Sequence, residues 1–221
     1  MTVCGLVRLD GGAARRSTLT AMLASSSVGL PAARGVHLDG PFGVMTGAMR
    51  SHDPIPPIAV DAGGLVVVLG GRLRRPGPVL VSRAGEPAGS PAALAGAGST
   101  DACLLAAAYR RDQERCLGPM GGAWIALVWE PERQRLVCAR TGDEAEELLT
   151  WSDGRIFAFG TEPAQLLAAG APMTTGHLRP TLRLARIRRL GSGECLAVCL
   201  PGTTPARSTI PIQVWHAGQR H

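Results

Sequence analysis

Between Gly122 and Gly160 the sequence runs through four apolar segments, AWIALVWE, RLVCAR, ELLTW and RIFAFG, divided by turn chemistry that includes PERQ and Ser152-Asp153-Gly154. Each segment is too short for a buried helix and rich in β-branched or aromatic residues, so each reads as a strand. Strands leave unpaired N–H and C=O groups along both edges and must find partners. Four in succession, joined by short turns, predict an antiparallel sheet.

The rest of the chain has the same texture. VCGLVRL, closed by Gly11-Gly12, predicts a first strand. From Gly35 to Gly71 come GVHLD, FGVM, IAV and LVVVLGG, and near the end ECLAVCL and IQVWH. The unbroken apolar run Leu65 to Leu69 fits a strand covered on both faces.

Three stretches carry helical spacing instead. In STLTAMLAS (17–25) Leu19, Met22 and Leu23 share a side, with Ser17 as N-cap. STDACLLAAAYRRDQERCL begins with capping residues and places Leu104, Leu105, Ala108 and Tyr109 ahead of a charged stretch. EPAQLLAAG has Thr161 as N-cap, Pro163 in its first turn and Gly170 past its end. Residues 76–99, rich in Pro, Gly, Ala and Ser, read as a loop within a single domain spanning residues 1–221. Strands in blocks with a few helices give an α+β layered fold, not alternating βαβ units.

Composition narrows the chemistry. All 23 basic residues are Arg, and the chain contains neither Lys nor Asn. Without Lys there can be no phosphate-binding Gly-Lys-Ser/Thr loop. The formal charge of +6 is compatible with an acidic partner, but the Arg-rich stretch 179–189 lacks the aromatics that stack on bases, so no nucleic-acid partner is expected. No long charge-free apolar stretch marks a membrane span, and a cytoplasmic protein is expected. The six cysteines form no Cys-x-x-Cys pair and lie in apolar segments, which predicts buried free thiols. His37, His52, His177, His216 and His221 show no metal-ligand spacing.

From Thr100 to Gly170 the order of motifs is specific. Asp101 precedes the helix ending in Tyr109-Arg110-Arg111, then come Cys116-Leu117, Gly122, AWIALVWE, LVCAR and FAFGTEPAQLLAAG. ARIRRLGSGECLAV and IQVWH follow, and the chain opens with CGLVRLDGG. This pattern resembles the type 2 glutamine amidotransferase domain of the asparagine synthetase family over most of the chain, least between residues 26 and 63. The resemblance implies an N-terminal-nucleophile fold, an αββα sandwich of two stacked antiparallel sheets between helices.

In active members of that family an N-terminal Cys attacks the glutamine amide, its own α-amine acting as base, and ammonia passes to an ATP-dependent synthetase domain. A peptide nitrogen cannot take that role, because it does not accept a proton near neutral pH. Cys4 matches the nucleophile, yet Met1, Thr2 and Val3 precede it. Trimming after Val3 would expose it; otherwise it reads as a buried strand cysteine.

The other site positions show further departures. Where the family has Phe-Asn-Gly-Glu for the oxyanion, this chain has LGGR: Gly71 keeps the backbone donor, but Gly70 stands for the Asn, a donor worth roughly 3 kcal/mol in such sites. The family's carboxylate-clamping Arg falls on Gly47 or Ala48, with Arg50 a few residues late. Asp101 matches the residue that binds the substrate's α-ammonium, and also suits a helix N-terminus. The turn TGDEAEE (141–147) replaces the family's motif at the synthetase border.

The reading that follows is a degenerate, non-hydrolysing amidotransferase-like scaffold for a separate synthetase-type chain. That partner would hold ATP and Mg, since no ATP-binding synthetase domain is present in these residues. β-Lactam synthetases and lasso-peptide macrolactam cyclases carry comparable non-hydrolysing domains. Two alternatives stand beside it: a glutaminase that binds glutamine through Cys4 after trimming, and a non-enzymatic binding module or truncated gene product.

Overall fold

A computed structural model describes residues 2–27, 34–48, 58–74, 100–174, 183–184, 187–201 and 213–216. In chain order these form β1 (Thr2–Arg8), α1 (Arg16–Ala24), β2 (Arg34–Asp39), β3 (Phe42–Gly47), β4 (Ile58–Val60), β5 (Val66–Arg74) and α2 (Thr100–Asp112). Next come β6 (Gly121–Glu130), β7 (Arg135–Thr141), β8 (Leu149–Ser152), β9 (Ile156–Gly160) and α3 (Pro163–Ala168). The last are β10 (Met173–Thr174), β11 (Arg183–Leu184), β12 (Arg188–Arg189), β13 (Cys195–Cys199) and β14 (Gln213–His216).

Twelve of the strands make two six-stranded sheets, ordered β12-β8-β9-β1-β3-β2 and β14-β13-β7-β6-β5-β4; β10 and β11 pair separately. Strand pairing is antiparallel except between β13 and β14, which run parallel. The four successive strands expected to form one sheet are divided: β6 and β7 lie in the second sheet, β8 and β9 in the first. The crossing occurs in the segment between β7 and β8, where the guanidinium of Arg140 donates to the carbonyls of Asp143, Ala145 and Glu146 and shapes the turn.

Three apolar layers hold these parts together. Between the sheets pack Val3, Val7, Phe42, Val44 and Phe159 from one sheet and Val66, Val68, Ile125, Leu127, Trp129, Leu136 and Val198 from the other. Phe42 stacks on Trp129 across this interface with ring centroids 5.1 Å apart, and the Trp129 indole N–H donates to Asp39 at 2.8 Å. Outside the second sheet, α2 contributes Ala102, Leu105, Ala106 and Tyr109 against Val67, Leu69, Trp124 and Ala126. Outside the first, Leu19, Met22 and Leu23 of α1 and Leu166 of α3 cover Cys4, Leu6, Met45 and Ala158. The result is the expected αββα sandwich, each fully buried large side chain contributing roughly 1.5–3 kcal/mol.

Helix boundaries differ from expectation in instructive ways. α1 starts two residues early, with Arg15 at the N-cap in place of Ser17 and no side-chain cap, so Ser17 lies inside it. α2 stops at Asp112 because Gln113 takes a left-handed φ of 52°, and Gln113–Cys116 continue as a 3₁₀ turn. α3 is capped by Glu162, not Thr161, through a reciprocal capping box with Gln165. Residues 76–99 lie outside the described residues, as does Arg50.

Candidate active site

β1 is central to the first sheet, paired with β3 on one side and β9 on the other. Successive side chains of a strand point to opposite faces. Val3 and Val7 enter the core between the sheets, while Cys4 and Leu6 face the outer helices. Cys4 is 0% exposed, and its thiol lies 3.9 Å from the Leu19 carbonyl of α1. Burial pushes its pKa up to about 12, which leaves on the order of one thiolate in 10⁵ at pH 7.

Thr2 and Val3, ahead of Cys4, are built into the sheet. Thr2 is in register with Gly47 and Val3 with Thr46. The Thr161 N–H donates to the Val3 carbonyl at 3.0 Å, and the Val3 N–H donates to the Thr161 hydroxyl at 3.3 Å. Gln165 donates from its side-chain amide to the Thr2 hydroxyl at 2.6 Å and accepts from the Thr161 N–H at 2.8 Å. Thr2, Thr161 and Gln165 are all buried. The Cys4 nitrogen is thus a peptide amide within a strand that continues in the N-terminal direction.

Gly71 lies in the other sheet, opposite Trp124, with φ of 102°. A Cβ there would stand 2.2 Å from the Ala123 carbonyl oxygen, so only glycine fits. Trp124 packs on the α2 side. Stacked sheets sit about 10 Å apart, and the Cys4 side chain points away from the intervening core. Cys4 and Gly71 thus lie on different sheets, with the Cys4 side chain packed among the helices outside the first sheet.

Asp101 is brought near Gly71. It occupies the first turn of α2, and its carboxylate accepts from the Leu73 N–H at 3.3 Å, tying the start of the helix to β5. Gly70 pairs with Ile125, whose side chain lies between the sheets. At the start of β1 the residue facing the core between the sheets is Val3, whose side chain offers neither nucleophile nor hydrogen bond.

The motif residues from Tyr109 to Arg140 have structural partners. Arg110 makes a two-pronged contact to Asp61 at 2.6 and 2.8 Å. The Tyr109 hydroxyl donates to Glu130 at 2.9 Å. Arg135, 3% exposed at its side chain, bridges Glu114 and Glu130, and Arg133 reaches Glu130 at 2.8 Å from the surface. Burial and the neighbouring carboxylates push the Tyr109 hydroxyl far above its ordinary pKa. Sequence reading missed this buried network; Glu and Arg beside apolar strand residues look the same whether solvated or enclosed. The Thr2–Gln165 contact was also missed, because nothing local in the sequence links residues 163 positions apart.

A small cavity of about 70 Å³ opens beside the network, lined by Tyr109, Gln113, Glu130 and Arg133 among others. An apolar recess lies between β4 and α2. Cys4, Gly71 and Asp101 line neither. Among the described residues no group of three His, Cys, Asp or Glu could hold a metal ion, and no helix is long and apolar enough to cross a membrane.

The architecture is similar to that of solved structures. Glutamine phosphoribosylpyrophosphate (PRPP) amidotransferase from B. subtilis, complexed with ADP and GMP, matches with a TM-score of 0.58 at 14% identity, over 90% of this chain and 47% of that one. A structure described as the allosteric regulatory enzyme of purine biosynthesis matches with the same values. The chain spans about half the length of these proteins. At this identity the likeness shows the fold alone, a sandwich of two stacked antiparallel sheets between helices. No family model matches the sequence. No curated protein matches it either.

Proposed function

We propose that this chain is a degenerate amidotransferase domain of the asparagine synthetase type, one domain over residues 1–221, that has exchanged glutamine hydrolysis for a scaffold role. Its partner is a separate cytoplasmic, ATP-dependent chain that forms amide bonds and carries ATP and Mg. One observation carries the reading: Cys4 is enclosed beneath α1 with Thr2 and Val3 held in the sheet ahead of it, so the thiol has neither a free amine beside it nor access to substrate. The loss of the oxyanion Asn at Gly70 and the structural engagement of Asp101 with Leu73 agree with it.

An electrophilic glutamine analogue tests the hydrolysis half. The purified chain is incubated with the analogue and its intact mass and mature N-terminus are read together, alongside glutamate release from glutamine. No adduct and no glutamate are expected from a chain that retains Val3. An adduct on a chain that begins at Cys4 would overturn the reading in favour of a trimmed, active glutaminase. The scaffold half is tested by co-expression with an ATP-binding synthetase chain encoded beside it. A stable complex whose amide-forming activity needs this chain is expected, and full activity of the partner alone would refute the role.

A further inference from the structure

We draw no further inference here: the strongest candidate, the apolar groove of about 210 Å³ between β4 and α2, lined by Ala59, Val60, Cys103, Ala106 and Ala107, is an apolar face, and nothing in the structure shows what covers it.

Discussion

The side-chain amide of Gln165 donates a 2.6 Å hydrogen bond to the hydroxyl of Thr2, joining the first turn of α3 to the start of β1 across 163 positions of sequence. The same Gln165 accepts from the Thr161 and Glu162 N–H groups through its carbonyl oxygen. One buried side chain thus secures the residues ahead of Cys4 and caps a helix.

Gln165→Met keeps most of the volume and removes every one of these bonds. It leaves the Thr161 N–H without its side-chain acceptor and the Thr2 hydroxyl without its donor. A loss of about 1–3 kcal/mol is expected, since each lost hydrogen bond contributes roughly 0.5–1.5 kcal/mol while the Thr161 N–H keeps the Val3 carbonyl and the Thr2 hydroxyl keeps that of Thr161. Urea denaturation measures it; a change below 0.5 kcal/mol, on the order of a neutral surface substitution, would mean that the contact does not hold the strand.

Thiol burial predicts an alkaline limit to stability. Cys4 and Cys195 are pushed up to about 12, and Cys138 well above its ordinary value, in each case chiefly by desolvation. Because the folded pKa lies above the unfolded one, the unfolded chain releases protons first. The stabilisation is complete below pH 9 and is lost as pH rises from there toward 12. Each such thiol contributes a slope of up to about 1.4 kcal/mol per pH unit in that window. Denaturation midpoints under reducing conditions should fall from pH 9 upward, and replacing Cys138 with Ala should make the fall shallower.

Arg135 balances two carboxylates that are nearly excluded from water, with Glu114 and Glu130 side chains 7% and 8% exposed. Arg135→Met strips that balance and is expected to cost about 3–5 kcal/mol. Adding Glu114→Gln should recover part of the loss, because it removes one of the stranded charges. Strict additivity of the two changes in a thermal or urea double-mutant cycle would argue that the charges are not coupled.

Two glycines with positive φ separate strain from collision. Gly71 and Gly154 have φ of 102° and 88°, but a Cβ meets the Ala123 carbonyl at the first and nothing within 4 Å at the second. Gly154→Ala is expected to cost about 1 kcal/mol for its backbone alone. Gly71→Ala should cost several-fold more, with loss of the β5–β6 register visible in amide exchange. Equal costs would show that the β5–β6 contact can relax.

Much of the fold was legible in the residues. The apolar runs marked the longer strands, most of them within two residues, but not the two-residue β10, β11 and β12; the Leu19, Met22, Leu23 spacing marked the buried side of α1. Asp101, Tyr109 and Arg110 were singled out by motif, and each has a defined partner in Leu73, Glu130 and Asp61. The sheet to which each strand belongs was not legible. β6 through β9 look alike in sequence because strands covered on both faces lack an apolar-polar alternation that would give them sides.

By itself the sequence determined where strands, helices and turns lie, since turn residues and hydrophobic periodicity act over a few neighbouring positions. It also determined which side chains are unavailable anywhere in these 221 residues, since there is neither Lys nor Asn. Only the tertiary structure decided which way Cys4 faces. In Thr2-Val3-Cys4-Gly5-Leu6-Val7 both alternating faces are apolar or small, so either could have turned toward the second sheet. Packing of Val3 and Val7 against that sheet, and of Leu19 over Cys4, selects one orientation and seals the thiol on the helix side.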